Sequence, residues 1–309
     1  MKLSLSANLF TNCALLATVI AEPQSLDQTT VIADREDKLI NKKKALLQIA
    51  STPGSSSIIS TEDWVGNGIQ LADVFELNPS VTAEETGVAN DTRITVRGSA
   101  AQSQRGNRGI SVQQDGIPFG SVDGAFFNKL IEPLSVQSIR VHPGANGFAY
   151  GASQFGGAIN YQVKNGLSHP GGFLQADYGS YDTVRATLQY GGQTDSVDYF
   201  GAYTHQQSDG YRDHSAWESD SFVGNVGYAW SDSATTRIYF NAVDFKSEIP
   251  GLLTLAQYQK DPKQRETDLD DSTKRGESAY RVAQQTSWVM EETEMQFYSY
   301  FQTISNEGN

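Results

Sequence analysis

From about residue 167 to the end, the chain alternates apolar and polar residues in one segment after another, which commits it to extended strands. Val184, Ala186, Leu188 and Tyr190 share one face, opposed by Thr183, Arg185, Thr187 and Gln189. Phe222, Gly224, Val226, Tyr228 and Trp230 repeat the pattern, as do Ile238, Phe240 and Ala242, and Met295, Phe297, Ser299 and Phe301. Strands are expected near 171–180, 182–191, 197–207, 220–231, 234–246, 278–290 and 294–305. Their connections are asymmetric. Those at 191–196, 231–234 and 291–294 are short and polar, that at 206–220 is longer, and that at 247–278 is longest and heavily charged. Short turns on one side and long loops on the other mark an outer-membrane barrel. Tyr178, Tyr190, Trp230, Tyr280 and Trp288, near strand ends, suit interfacial girdles. A soluble β-sandwich also alternates; the loop asymmetry and an export signal favour the barrel. About seven strands cannot close one, because single-chain bacterial barrels have an even number and a free edge in lipid leaves backbone groups unpaired.

The rest of the chain divides into three. Residues 1–21 read as an export signal: Lys2, a mostly apolar run from Leu9 to Ile20, and small residues before a cut after Ala21. The single cysteine, Cys13, lies inside it, so the exported chain has neither disulfide nor thiolate metal site. Residues 22–50 are polar and charged. Residues 51–166 are dense in glycine and in short β-like runs. The net charge of −13 argues against a nucleic-acid partner. No apolar run of helix-spanning length follows the signal, which leaves a barrel open, since barrel strands need only about 9–11 alternating residues. No catalytic constellation is framed by a nucleophile motif, and the glycines of 144–157 precede no Gly-Lys-Ser/Thr; no enzyme is expected.

Five ordered pieces of 51–166 carry a resemblance. Thr52-Pro53-Gly54-Ser55-Ser56-Ser57-Ile58-Ile59 opens the segment. Leu71-Ala72-Asp73-Val74-Phe75 with Asn78-Pro79-Ser80-Val81 is similar to "LxDxL…PGV", with Ser80 where glycine is usual. Ile94-Thr95-Val96-Arg97-Gly98 resembles "IxIRG". Arg108-Gly109-Ile110 with Asp115-Gly116-Ile117-Pro118 resembles "RGI…DGxP". Tyr150-Gly151 with Gly156-Gly157-Ala158-Ile159-Asn160 resembles "YG…GGxIN". Together they resemble the plug domain of TonB-dependent outer-membrane receptors. The later Asp209-Gly210-Tyr211-Arg212-Asp213-His214 and Glu248-Ile249-Pro250-Gly251 look like loops of ferric-siderophore and ferric-citrate receptors.

The resemblance implies an α+β plug domain (51–166) followed by the first antiparallel strands of a transmembrane β-barrel (167–309), in a family whose complete barrel has 22 strands. It implies active uptake of a metal chelate, most similar to a ferric siderophore or ferric citrate. Zinc or other metallophores, cobalamin, a passive surface binder or a nonfunctional truncated product stand as alternatives. The iron travels in the ligand, so no cofactor is implied. The implied partners are the chelate, outer-membrane lipid and the TonB protein, which would bind Thr29-Thr30-Val31-Ile32-Ala33 as a TonB box by strand addition. Ligand contacts are expected at plug apices, with Gln104, Arg105 and Asn107 in one and Phe126 and Phe127 in another; Arg105 offers planar bidentate donors. His205 and His214 show no paired metal spacing. One departure stands out: where the family has "IEVxRGP", this chain has Arg140 in place of the acidic residue and Pro143 in place of the arginine, so docking of the plug is expected to differ.

Overall fold

A computed structural model of the chain describes residues 16–20 (backbone only), 55–60, 70–76, 78–85, 92–99, 109–120, 124–151, 155–266, 273–290 and 293–308. Leu16–Ile20 forms β1 and Ser57–Ser60 forms β2, followed by a short helix, Leu71–Phe75 (α1). The next strands are β3 (Val81–Glu85), β4 (Thr92–Val96), β5 (Ile110–Gln114), β6 (Ile117–Pro118), β7 (Val136–Pro143) and β8 (Gly157–Val163). Seven long strands complete the chain: β9 (Gly171–Gly179), β10 (Thr183–Gln193), β11 (Val197–Ser208), β12 (Trp217–Ser231), β13 (Ala234–Glu248), β14 (Lys274–Met290) and β15 (Thr293–Gly308), with helix α2 (Leu255–Lys260) between β13 and β14.

The plug is built on a five-stranded sheet of order β2-β7-β8-β5-β6, with β3 and β4 paired separately. Only β5 and β8 run parallel. Between β5 and β6, Asp115 (φ 49°) and Gly116 (φ 83°) both take positive φ, the backbone of a two-residue primed turn. The sheet is two-faced. Ile139, Val141, Ile159 and Val112 point into an apolar core with Val74, Phe75, Ile94 and Val96. Arg140, His142 and Asn160 point the other way. Gly157 is required by close approach: a Cβ there would sit 2.1 Å from the His142 carbonyl oxygen.

The seven long strands pair in sequence, all antiparallel, as one curved wall. β1 pairs with β15 at one edge, Leu16 opposite Tyr298 through Ile20 opposite Glu294. This segment lies inside the stretch that reads as an export signal; a free strand edge accepts any extended segment that offers backbone donors and acceptors. Connections 194–196, 232–233 and 291–292 share one end, the turn end. Connections 209–216 and 249–273 share the other, the loop end, where the short Ser180–Asp182 turn also lies.

The alternation is inverted relative to a soluble protein. On β10 the polar residues are buried, with Arg185 and Thr187 at 1% exposure, while Leu188 and Tyr190 are each 58% exposed. On β12, Asn225 is buried and Phe222, Val226 and Tyr228 are exposed. The outward face is an apolar band (Leu174, Leu188, Tyr199, Val226, Ile238, Phe240, Val282, Phe301). Toward the loop end it gives way to His205, Glu218, Asp220, Asp244, Lys246 and Ser278. Such a face is soluble only in lipid, which excludes the sandwich.

This arrangement predicts that Val282→Arg, in the band, costs about 2–4 kcal/mol, and that Ser278→Arg, four residues back on the same face, costs less than about 1 kcal/mol. Urea unfolding of the receptor refolded into lipid vesicles measures both.

Candidate functional site

One short segment of the plug, 128–135, formed by two single 3-10 turns, Asn128–Leu130 and Pro133–Ser135, carries buried charges to the wall. It places two opposite charges on the lumen wall. Lys129 donates from Nζ to Glu277 on β14, both side chains 1% exposed. Glu132 accepts from Arg185 on β10, with 3% and 1% exposure. Glu132 also caps its own turn through Leu134 N–H at 3.2 Å. Its second oxygen accepts from Ser221 Oγ at 3.3 Å and Gln206 Nε2 at 3.5 Å. A carboxylate with this many donors can stay charged out of water. Gln189 Nε2 donates to the Leu134 carbonyl at 2.9 Å, and Lys129 lies 4.4 Å from the centroid of the Phe245 ring. The plug core continues into the wall at Trp217, Val243, Phe245 and Ala279.

A second contact lies at the turn end. Gln285 Nε2 donates to the Asp115 carbonyl at 3.2 Å and Arg281 to the Pro118 carbonyl at 2.7 Å. The Arg281 guanidinium lies over Phe119 and Tyr300. Asn225 Nδ2 donates to the Lys164 carbonyl at 2.8 Å. The Asp115 carboxyl is pushed up to about 7 by burial, against the opposing pull of Arg237, which is itself paired in a fork to Asp198.

The motif residues mostly hold the plug to itself. Asn160 Oδ1 accepts from Gly116 N–H at 3.1 Å, joining two of the sequence motifs. The Tyr150 hydroxyl is 2.9 Å from His142 Nε2 with the rings stacked, and the Tyr150 carbonyl accepts from Gln113 and Ser111. Burial pushes His142 down to about 4, helped by the neighbouring Arg140. Arg97, at φ 51°, donates to Ser55 Oγ beside Gly144. Gly98, Gly109, Gly151, Gly156 and Gly157 cluster at the loop end of the plug, where Gly156 N–H donates to the Gly109 carbonyl at 3.0 Å. Arg140 Nε and Nη2 are buried with no hydrogen-bond partner among the described residues, and burial lowers the pKa of its guanidinium. Pro143 is buried at the end of β7.

Of the expected ligand contacts, Phe126 lies in the plug core and Phe127 packs half-buried against it. Gln104, Arg105, Asn107 and Arg108 lie outside the described residues, as does the 29–33 segment. The two loop signatures turn out to be one unit. Arg212 donates to the carbonyls of Gly251 (2.7 Å), Pro250 (3.1 Å) and Gln264 (2.9 Å), and His214 Nε2 is 2.9 Å from the Thr273 carbonyl. Beneath the loops a cavity of about 980 Å³ opens, with Trp217, Ser247, Glu248 and Arg275 in its lining. Nothing local in the sequence marks Trp217 and Arg275; extending the strand alternation toward the loop end places both on the inward face.

A compact domain seated against a wall that is apolar outside and polar inside defines a plugged transmembrane β-barrel. Comparison with known proteins agrees. Residues 48–158 match the TonB-dependent receptor plug domain. A pesticin receptor of Yersinia pestis is 26% identical over 214 residues, covering 68% of this chain and 30% of that protein. The ferrichrome receptor FcuA of Yersinia enterocolitica is 32% identical over 120 residues, 37% of this chain and 16% of that protein. Among solved structures, the unliganded ferric citrate transporter FecA superposes with a TM-score of 0.69 at 18% identity, over 85% of this chain and 42% of that one. The ferric yersiniabactin receptor FyuA of Yersinia pestis gives 0.64 at 16% identity, over 82% and 41%. The chain carries a TonB-dependent receptor plug domain over residues 48–158 and spans about 30% of the length of the pesticin receptor it matches.

Two outcomes follow from this geometry. Lys129→Met strands the buried Glu277 carboxylate with only Arg275 beside it, and should cost about 3–5 kcal/mol in urea unfolding; adding Glu277→Leu should recover most of the loss. Asp115, at about 7 folded against 3.8 for the free group, holds more protons folded than unfolded between those values. Stability therefore falls as pH rises from about 4 to 7 and is flat above. In unfolding measured across that range, Asp115→Asn should remove this component of the slope.

Proposed function

We propose that this chain supplies the plug and the first barrel strands of a TonB-dependent outer-membrane receptor that takes up a metal chelate, with a ferric siderophore or ferric citrate as cargo. In this reading residues 1–21 export the chain and are removed, 22–50 reach into the periplasm, 51–166 form the plug and 167–309 begin the barrel. The loop end faces the exterior. The observation that carries the reading is the plug held by buried charge pairs against a lipid-facing wall, a design that blocks the lumen until the plug is worked loose. The relatives' names, pesticin and ferrichrome receptor among them, support a chelate or a protein ligand of comparable entry route.

The mechanism has three parts. A chelate enters the cavity below the Arg212-braced loops, where Arg275 offers a planar cation to an anionic or hydroxamate-bearing ligand. In this reading Arg105 contacts the bound ligand. TonB, paired with Thr29–Ala33 as an added strand, pulls from the periplasm and breaks the Lys129 and Glu132 contacts. The metal is cargo and belongs to the ligand.

Uptake of radiolabelled ferric chelates by cells carrying the full-length receptor tests this. Import should cease in a strain without TonB and on deletion of residues 29–33, while surface binding persists. Import unchanged by either would establish a passive binder instead.

A further inference from the structure

The outward face of the wall carries a group of side chains to which the uptake route gives no role, although one of them, Glu218, also borders the cavity beneath the loops. His205 on β11 stands directly opposite Asp220 on β12, and Glu218 lies two residues along β12 on the same face. One imidazole nitrogen and one oxygen from each carboxylate lie within 4.8 Å of one another. His205 Nδ1 is 3.0 Å from Asp220 Oδ1, and the Tyr203 hydroxyl donates to that same oxygen at 2.5 Å. The His205 and Asp220 side chains are 31% and 40% exposed, so an ion reaches them from solution. The cluster stands just beyond the apolar band, whose last outward aromatics here are Tyr203 and Phe222. The cation across from Glu218, Lys246, is held by Asp244 Oδ2 at 3.3 Å and does not fill the cluster.

We propose that His205, Glu218 and Asp220 form a binding site for a divalent transition metal of the zinc class on the outer wall of the receptor. One imidazole and two carboxylates suit a borderline ion; calcium and magnesium favour oxygen donors alone. Zinc holds such donors at about 2.0–2.2 Å, which brings them to roughly 3.3 Å from each other. Side-chain torsions cover the remaining distance, because the two strands are fixed in register by their ladder. The ion replaces the contact between His205 and Asp220, and the Tyr203 hydroxyl orients the Asp220 carboxylate from behind. The remaining coordination positions face outward, to water. The site joins β11 to β12 at the base of the 209–216 loop, which Arg212 ties to its neighbour, so occupancy stabilises the folded wall by mass action.

Sequence spacing hides this set. His205 is separated from its two carboxylates by a long loop, and only strand pairing brings the three together.

The test uses the untagged receptor in chelator-treated detergent, titrated with Zn²⁺ by calorimetry and with Co²⁺ by visible absorption, for the wild type, His205→Ala, Asp220→Asn and Tyr203→Phe. Heat-modifiable gel mobility confirms that each variant is folded, which the exposed position of all three residues favours. The wild type should bind one Zn²⁺ per chain with a rise in Tm. His205→Ala and Asp220→Asn should each lose at least about tenfold in affinity and the rise in Tm, and Tyr203→Phe should fall between. The proposal is overturned if the wild type binds no Zn²⁺, if it binds Ca²⁺ in preference, or if both His205→Ala and Asp220→Asn keep wild-type affinity. None of these readouts involves uptake, so the outcome is independent of what the receptor transports.

Discussion

Burying a charge in a protein is tolerable only when its partners are built in, and the junction between plug and wall is organised around that rule. Lys129 and Glu132 leave one short segment and meet Glu277 and Arg185 on opposite flanks of the described wall. Glu132 is the more heavily satisfied, with donors from β10, β11, β12 and its own turn. Such pairs add little net stability compared with an apolar contact, yet breaking one is costly. They therefore fix where the plug sits while adding little net stability. An apolar interface of the same extent would hold the plug without specifying its register.

The wall obeys the complementary rule. Its outer face meets lipid and is apolar, its inner face meets the plug and is polar, and every strand carries both. The inner polar residues are what the plug backbone docks on: Gln189, Asn225, Arg281 and Gln285 each donate to a plug carbonyl. The same alternation fixes where the outer band stops, and the residues beyond it, His205, Glu218, Asp220 and Asp244, are free to carry charge because they have left the hydrocarbon.

Much of this was legible in the sequence. The alternation set all seven wall strands to within a few residues, because a period of two is local. The plug motifs marked turns whose physics is also local, Asp115-Gly116 above all. What the sequence did not disclose is long-range. Lys129 and Glu277 are 148 positions apart, and Glu132 and Arg185 are 53 apart. Nothing in Asn128-Lys129-Leu130-Ile131-Glu132 distinguishes a docking segment from a solvated one. Nor did the sequence mark Lys129 and Glu132, whose charges are the ones buried against the wall among the described residues. The two loop signatures stand apart in the sequence, and only the fold lets Arg212 join them. Phe126, expected at an apex, lies in the core because the segment 124–135 turns inward to deliver those charges.

The central claim is that these buried pairs hold the plug in the lumen. Native-state hydrogen exchange of the receptor carrying Glu132→Gln tests it most directly. The amides of Ile110–Gln114 and Gly157–Val163 should lose protection while those of Thr183–Gln193 and Val197–Ser208 keep theirs. Undiminished protection throughout the plug would contradict the account.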